Sequence, residues 1–316
     1  MHVFRFLLAL LLGLIVPAMS ARSVLADTPA PIPAHWQSAQ LGRSLSFEID
    51  SRFTGRRYRI LIGLPHKDAP AGGYPVLWAL DGLASFPLMT VSRPHPPSPE
   101  DSAEWRRKLG DEPAGLIVAI GHASGLPFDV NARAADYTPR ADAPSGDRFS
   151  TVHGGADAFL RFLTEELRPL IARHFVLDAQ RNTVFGFSYG GLFALHVLST
   201  APQHFQRYWA ASPSLWFGQE ATVEALPARL AAIDFSRTPV RLTLSVGTDE
   251  QYPASFPSAQ RRAHVESRHM VDNAKRFAER LRTAGADVRY IQLADHDHLD
   301  MLMHGARHVV AYAFAP

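Results

Sequence analysis

Gly186-Phe187-Ser188-Tyr189-Gly190, with Gly191 next, leaves this 316-residue chain the fewest choices. Ahead of it runs Thr183-Val184-Phe185, and after it comes Leu192-Phe193-Ala194-Leu195-His196-Val197-Leu198, apolar and continuous. A glycine two residues either side of a serine, between a strand and a helix, describes a tight turn. Such a turn strains the serine backbone and lifts its hydroxyl clear of a sheet edge. The hydroxyl then stands at a helix N-terminus, where the dipole favours developing negative charge. G-x-S-x-G alone is common by chance. In this setting it marks Ser188 as a candidate nucleophile and demands an α/β sheet to hold the turn.

The rest of the chain supplies one. Residues 45–49 and 58–62 alternate or run apolar and are expected as two strands joined through Thr54-Gly55. Residues 74–80, 116–120, 183–187, 241–246 and 288–293 read as further strands, the first of these ending at Asp81-Gly82. Between them, residues 156–174 set Phe159, Leu163, Leu167 and Ile171 four apart on one helical face. Residues 264–284 read as one long charged amphipathic helix stopped by Gly285. Apolar strands alternating with amphipathic helices imply a mostly parallel central sheet with helices on both faces. With the serine turn, that is the α/β-hydrolase fold, expected as a single domain over 45–316. Residues 90–113 and 128–155 are rich in proline or polar residues and are expected as surface loops; a functional reading has them overhang the carboxyl ends of the strands and shape a cleft.

The first 26 residues stand apart. Arg5, a short apolar run and Ser23-Val24-Leu25-Ala26 have the layout of a cleaved signal peptide. The run of roughly 13 apolar residues is shorter than the ~20 that span a bilayer. Residues 27–44 then form a loose, proline-rich leader. Once Arg5 and Arg22 leave, the 32 basic residues fall to 30 against 30 acidic ones. That balance, with no basic cluster, argues against a nucleic-acid partner, and no second apolar stretch suggests a membrane partner. The absence of cysteine excludes disulfides, thiolate zinc sites and a cysteine nucleophile.

A serine hydroxyl needs a base, and on this fold the order is serine, acid, histidine. Past Val246 stand Asp249 and Glu250, either able to orient a histidine, with Glu250 preferred; a serine-histidine dyad is the alternative. Past the last strand stand His296 and His298, the latter better placed. His304 and His308 read as surface residues. The crowding of His296, Asp297, His298, Asp300 and His304 also allows a metal reading; the triad already accounts for one of them, so no metal is expected. The oxyanion hole calls for the amide of Tyr189 and that of Gly82 or Leu83.

Leu80-Asp81-Gly82, ARAADYTP at 132–139, GGADAFLRFLTEELRP at 154–169 and FGFSYGGLFAL at 185–195 resemble the Putative esterase family of α/β hydrolases. Within it they are most similar to periplasmic trilactone esterases acting on enterobactin and salmochelin. The similarity runs from about residue 45 to the C-terminus. It implies a Ser188–His298 pair, with or without an acid. Where members read Gly-Glu-Asn/Asp-His, this chain has Asp295-His296-Asp297-His298, so His296 replaces a glutamate. The implied activity is periplasmic hydrolysis of a ferric catecholate trilactone, without a resident cofactor. A ferric tris-catecholate is anionic, so Arg133 is the first candidate for binding it, the alternative being a salt bridge to Asp136. Arg93, His95 and Arg148 follow. Trp216 and Phe217 either face catechol rings or belong to the core. Other readings are a general carboxylesterase or polysaccharide acyl esterase, and a non-catalytic siderophore binder.

Overall fold

The computed structural model describes residues 41–93, 100, 102–104 and 114–315. The expected signal peptide, the leader up to residue 40 and His95 lie outside the described residues. Eight strands form one sheet: β1 (Ser44–Asp50), β2 (Arg57–Gly63), β3 (Tyr74–Ala79), β4 (Leu116–His122), β5 (Leu177–Phe187), β6 (Arg207–Ala211), β7 (Arg241–Gly247) and β8 (Asp287–Leu293). Their order is β1-β2-β4-β3-β5-β6-β7-β8. β2 pairs antiparallel with β1 and β4, and from β4 to β8 every pairing is parallel. The sheet is thus mostly parallel, as the run of apolar strands implies. β6 is the strand that the placement of an acid after Val246 presupposes.

Alternation of side chains across the pleat divides the interior into two cores. In β3, Val76, Trp78 and Leu80 enter one and Leu77 and Ala79 the other; in β4, Leu116, Val118 and Ile120 oppose Ile117 and Ala119. The smaller core is closed by α1 (Gly82–Ser92) and the C-terminal α9 (His298–Phe314), through Phe86, Met89, Leu302, Val309 and Phe314. Most of the other helices cover the larger core. They are α2 (Val130–Tyr137), α3 (Ala156–Arg161), which continues through a π-helical stretch (Phe162–Leu167) into α4 (Arg168–Ala172), α5 (Tyr189–Thr200), α6 (Phe217–Leu230), α7 (Ala259–Glu266) and α8 (Met270–Thr283). α7 alone among them buries no residue.

β3 is flanked by β4 and β5, and the helices that follow β3 and β5 pack on opposite faces of the sheet. This reversal is a topological switch point, and ligands of open α/β sheets bind at the carboxyl ends of such strands.

Two expectations need correction. Residues 128–155 are not all loop: α2 lies within them and buries Arg133, Ala134, Ala135, Asp136 and Tyr137. Its buried face mixes two charged residues and two alanines with a single tyrosine, so no apolar stripe announces it. The long helix over 264–284 is two, because His269 adopts a left-handed conformation (φ 46°) that ends α7 and starts α8.

Candidate active site

Ser188 follows β5 with φ 57° and ψ −115°, the strained turn that its glycines foretell. A Cβ on Gly186 would lie 1.9 Å from the Gly190 carbonyl oxygen, so no larger residue fits the inside of this bend. The Ser188 amide donates to the Ala211 carbonyl, and Leu192 N–H returns to the Ser188 carbonyl. Both ends of the turn are therefore fixed by backbone. The hydroxyl shares a 3.3 Å hydrogen bond with the Ser214 hydroxyl, and Ser214 N–H donates to the Ser188 carbonyl.

β7 and β8 deliver the other two members. Glu250 lies in a short 3-10 turn after β7, its side chain 2% exposed. One oxygen accepts from the Gly247 amide at 2.8 Å and the Ser212 hydroxyl at 2.5 Å. The other accepts from Nδ1 of His298 at 2.6 Å. Of the two carboxylates weighed from sequence, the structure brings Glu250 to the histidine; Asp249 instead receives the hydroxyl of Thr248. Of the two histidines, His298 makes the pair, while Nδ1 of His296 is held on the Ala294 carbonyl. A Cβ on Gly247 would come within 2.1 Å of the His296 carbonyl oxygen, so this glycine lets the 294–297 turn press against the end of β7. The Asp297 carboxylate caps the N-terminus of α9 through Leu299 and Asp300 N–H, fixing where His298 emerges.

The His298 ring lies on Phe187, the residue before Ser188, with centroids 4.6 Å apart. Its Nδ1 is committed to Glu250, which leaves Nε2 as the nitrogen able to take a proton. Among the described residues no hydrogen bond joins Ser188 to His298, and the serine hydroxyl rests on Ser214. Such bonds often tighten only when substrate is bound.

Tyr189 opens α5 and Gly82 opens α1, so the Tyr189, Gly82 and Leu83 amides belong to first helical turns whose N–H groups lack intrahelical acceptors. The two turns touch: a Cβ on Gly190 would lie 3.4 Å from Leu80 Cβ and 3.5 Å from an Asp81 carboxylate oxygen. Arg133 ties them together. Its guanidinium donates twice to Asp81, both at 2.9 Å, and from Nη2 to the Phe187 carbonyl at 3.1 Å. The partner is therefore Asp81 and not Asp136, which instead accepts from Arg56 and Tyr58 and contacts His122. Burial alone would lower the Arg133 guanidinium; Asp81 more than offsets it and raises it. Arg133 is 9% exposed, packed among Phe128, Tyr137 and Tyr189, so what it offers a ligand is limited to Nη1.

Arg93, also a candidate, stands at the opposite edge of the sheet, donating to the Gly115 carbonyl at the start of β4 and lying over Phe314. α1 carries it there, away from Ser188. Phe217 is core, 2% exposed and edge-on to Tyr189. Among the described residues, no three His, Asp or Glu side chains are grouped to hold a metal ion. Ser212, Ser214 and Asp81 were not singled out from sequence. The available signal was their position, polar residues directly after buried strands at the edge where the serine emerges. As a set, the groups can pass a proton from a hydroxyl to an imidazole and receive a tetrahedral oxyanion between two helix starts.

Residues 51–299 match the Putative esterase family. A ferri-bacillibactin esterase of Bacillus subtilis is 34% identical over 264 residues, 80% of this chain and 83% of that one. A siderophore enterobactin esterase of Emericella nidulans is 35% identical over 253 residues, 73% of this chain and 79% of that one. The solved structure of the siderophore hydrolase EstA from Aspergillus nidulans superposes with a TM-score of 0.72 at 26% identity, covering 88% of this chain and 98% of that one.

Proposed function

Since the chain belongs to the Putative esterase family and is a carboxylic ester hydrolase, we propose that it cleaves the trilactone esters of a ferric catecholate siderophore for iron acquisition, with Ser188 as nucleophile. The observation that carries the reading is the Glu250–His298 pair, 2.6 Å apart, brought beside the strained serine turn in a chain similar to siderophore esterases. Siderophore hydrolysis draws support from those relatives; the catecholate and the serine mechanism are our own assignment.

In this mechanism, the Ser188 oxygen attacks an ester carbonyl as its proton passes to Nε2 of His298. Glu250 holds Nδ1–H and balances the imidazolium. The tetrahedral oxygen is met by the amides of Tyr189 and of Gly82 or Leu83. The imidazolium then protonates the departing seryl hydroxyl of the lactone. Water, deprotonated by the same imidazole, attacks the acyl carbonyl, and the imidazolium returns the proton to the departing Ser188 oxygen. Iron travels with the substrate. The Nη1 group of Arg133 is the donor left to face an anionic substrate atom.

Ser188→Ala should remove hydrolysis of ferric enterobactin, read by product mass, with the melting temperature kept. Retained cleavage would overturn the mechanism. A wild-type protein that cuts only a short p-nitrophenyl ester would be a general carboxylesterase or polysaccharide acyl esterase. One that binds the ferric chelate without cutting anything would be a non-catalytic binder. The N-terminal pattern supports export to the periplasm with cleavage after Ala26, which the intact mass of the exported chain would report. No helix among the described residues is long and apolar enough to cross a membrane.

A further inference from the structure

Beside the serine turn lies a cavity of about 350 Å³ that the ester chemistry does not use, lined by Gly146, Trp216, Glu220, His264, Ser267 and Arg268 among others. Trp216 connects it to the serine turn. Trp216 stands two residues past Ser214, whose hydroxyl touches that of Ser188, and its ring lies 5.9 Å from that of Tyr189.

Its charge is one-sided. The Arg268 guanidinium sits 4.2 Å over the Trp216 ring, a cation–π arrangement that sets its position. Burial lowers Arg268 most, and Arg148 and Arg261 lower it further, while Tyr189 and Asp147 act in the opposite direction. His264 is lowered by burial and by the same three arginines. Among the described residues, Arg148, Arg261 and Arg268 have no carboxylate within ion-pairing distance. The two acids nearby are engaged: Glu220 pairs with Arg276, and Asp147 receives the Phe149 amide, the Tyr189 hydroxyl and His153. In a chain with a formal net charge of only +2, three arginines close enough to act on one another, with Asp147 only partly offsetting them, are a local arrangement that a bound anion would relieve.

Trp216 makes one wall aromatic, the 218–220 turn makes another strained, and outside the lining Arg148 lies over Phe149, which is 61% exposed. Gly218, Gln219 and Glu220 have φ of 61°, 55° and 63°, a left-handed run holding two non-glycine residues at a cost of about 1–2 kcal/mol each. Backbone strain of this kind clusters where a ligand must be held. The missing chemistry is therefore a planar ring bearing anionic oxygens. A neutral, aliphatic hydroxamate chelate would leave the arginines unneutralised.

We propose that this pocket is the subsite for one catecholate arm of the ferric chelate, with Trp216 packing the ring and Arg148, Arg261 and Arg268 neutralising its negative charge. This rests on the siderophore-ester reading and adds where an arm is held while a neighbouring ester meets Ser188.

Calorimetric titration with ferric enterobactin tests it without turnover, using Ser188→Ala as the reference and adding Arg148→Gln and Arg268→Gln. The double substitution should weaken binding about tenfold or more, and raising the salt should weaken the reference far more than the doubly substituted protein. In the hydrolytically active protein the same pair should raise KM for ferric enterobactin and largely spare kcat, with Arg268→Lys intermediate. Equal Kd values with and without the arginines, or no binding by the reference, would overturn the subsite. Arg148→Gln alone, on an exposed loop, serves if the double variant does not fold. A wild-type protein that cleaves ferric enterobactin with a KM indifferent to these arginines would sink the subsite and spare the esterase reading. Cleavage of neutral esters only would sink the reading itself.

Discussion

Glu250 has a 2% exposed side chain with two oxygens, and every hydrogen bond it makes serves the imidazole. Ser212 and the Gly247 amide hold one oxygen so that the other meets Nδ1 of His298. Glu250→Gln keeps the shape but can present its amide N–H to Nδ1, which favours the wrong tautomer. The expected result is a fall in kcat of about 10²- to 10⁴-fold with KM little changed, by the behaviour of the corresponding acid in serine proteases. His298→Ala should cost about as much as loss of the serine. His296→Ala should leave most of the rate, because that ring is turned onto the Ala294 carbonyl. Steady-state kinetics on one ester would order the four proteins; equal losses at the two histidines would refute the assignment. At this scale the sequence was most informative where geometry is local. Gly186 and Ser188 announce their turn because the backbone needs them there. Glu250 is preferred over Asp249 by position alone; what separates them is contact with Ser212 and His298, 38 and 48 residues away.

At the scale of elements, one ion pair joins three of them. Arg133 on α2 reaches Asp81 at the start of α1 and the carbonyl of Phe187 at the end of β5. The two helix starts it links are those proposed to supply the oxyanion donors, and on that reading Arg133 is a positioning residue before it is anything else. Removing either partner strands a buried charge, and Arg133→Ala or Asp81→Ala should each destabilise the fold by about 3–5 kcal/mol. The double substitution should cost less than the sum, which a thermodynamic cycle from urea melts would measure. Loss of one well-aimed oxyanion donor lowers kcat about 10²-fold. Arg133→Lys, which keeps the charge and loses the bidentate grip, should therefore act on kcat. If it raises only KM, Arg133 works by touching substrate and not by holding the two turns. None of this could be read from the 132–139 segment. Its arginine and aspartate are three apart, which suggests a local pair, whereas the fold sends Asp136 to Arg56 and Tyr58 and brings Asp81 to Arg133 from 52 residues away. β3, β4, β7 and the end of β5 were legible because burial on both faces writes itself as continuous apolar sequence; β6, short and opening on Arg207, had no legible bounds. α2 was not legible, because Arg133 and Asp136 interrupt its buried face.

At the scale of the whole molecule, α9 couples the stability of the sheet to the chemistry at its edge. Its first residue is His298, and its last turns fill the smaller core with Val309, Val310, Ala313 and Phe314. Arg181 and Arg207 bind the carbonyls at its far end. At 1.5 Å per residue its 17 residues span about 25 Å, so the two ends should be separable by substitution. Phe314 is 5% exposed and packs where Gly115 enters β4. Phe314→Ala should lower unfolding free energy by about 3–5 kcal/mol, yet leave kcat per folded molecule within about twofold, because the cavity opens at the edge opposite His298. Leu302 is 3% exposed and one turn from the imidazole. Leu302→Ala should cost about 2–5 kcal/mol and also lower kcat, since the helix start it anchors is what aims Nδ1 at Glu250. Urea melts paired with active-site-normalised rates would compare the two. If both substitutions leave kcat alike, the core does not govern where the imidazole sits, and the capping by Asp297 alone must do so.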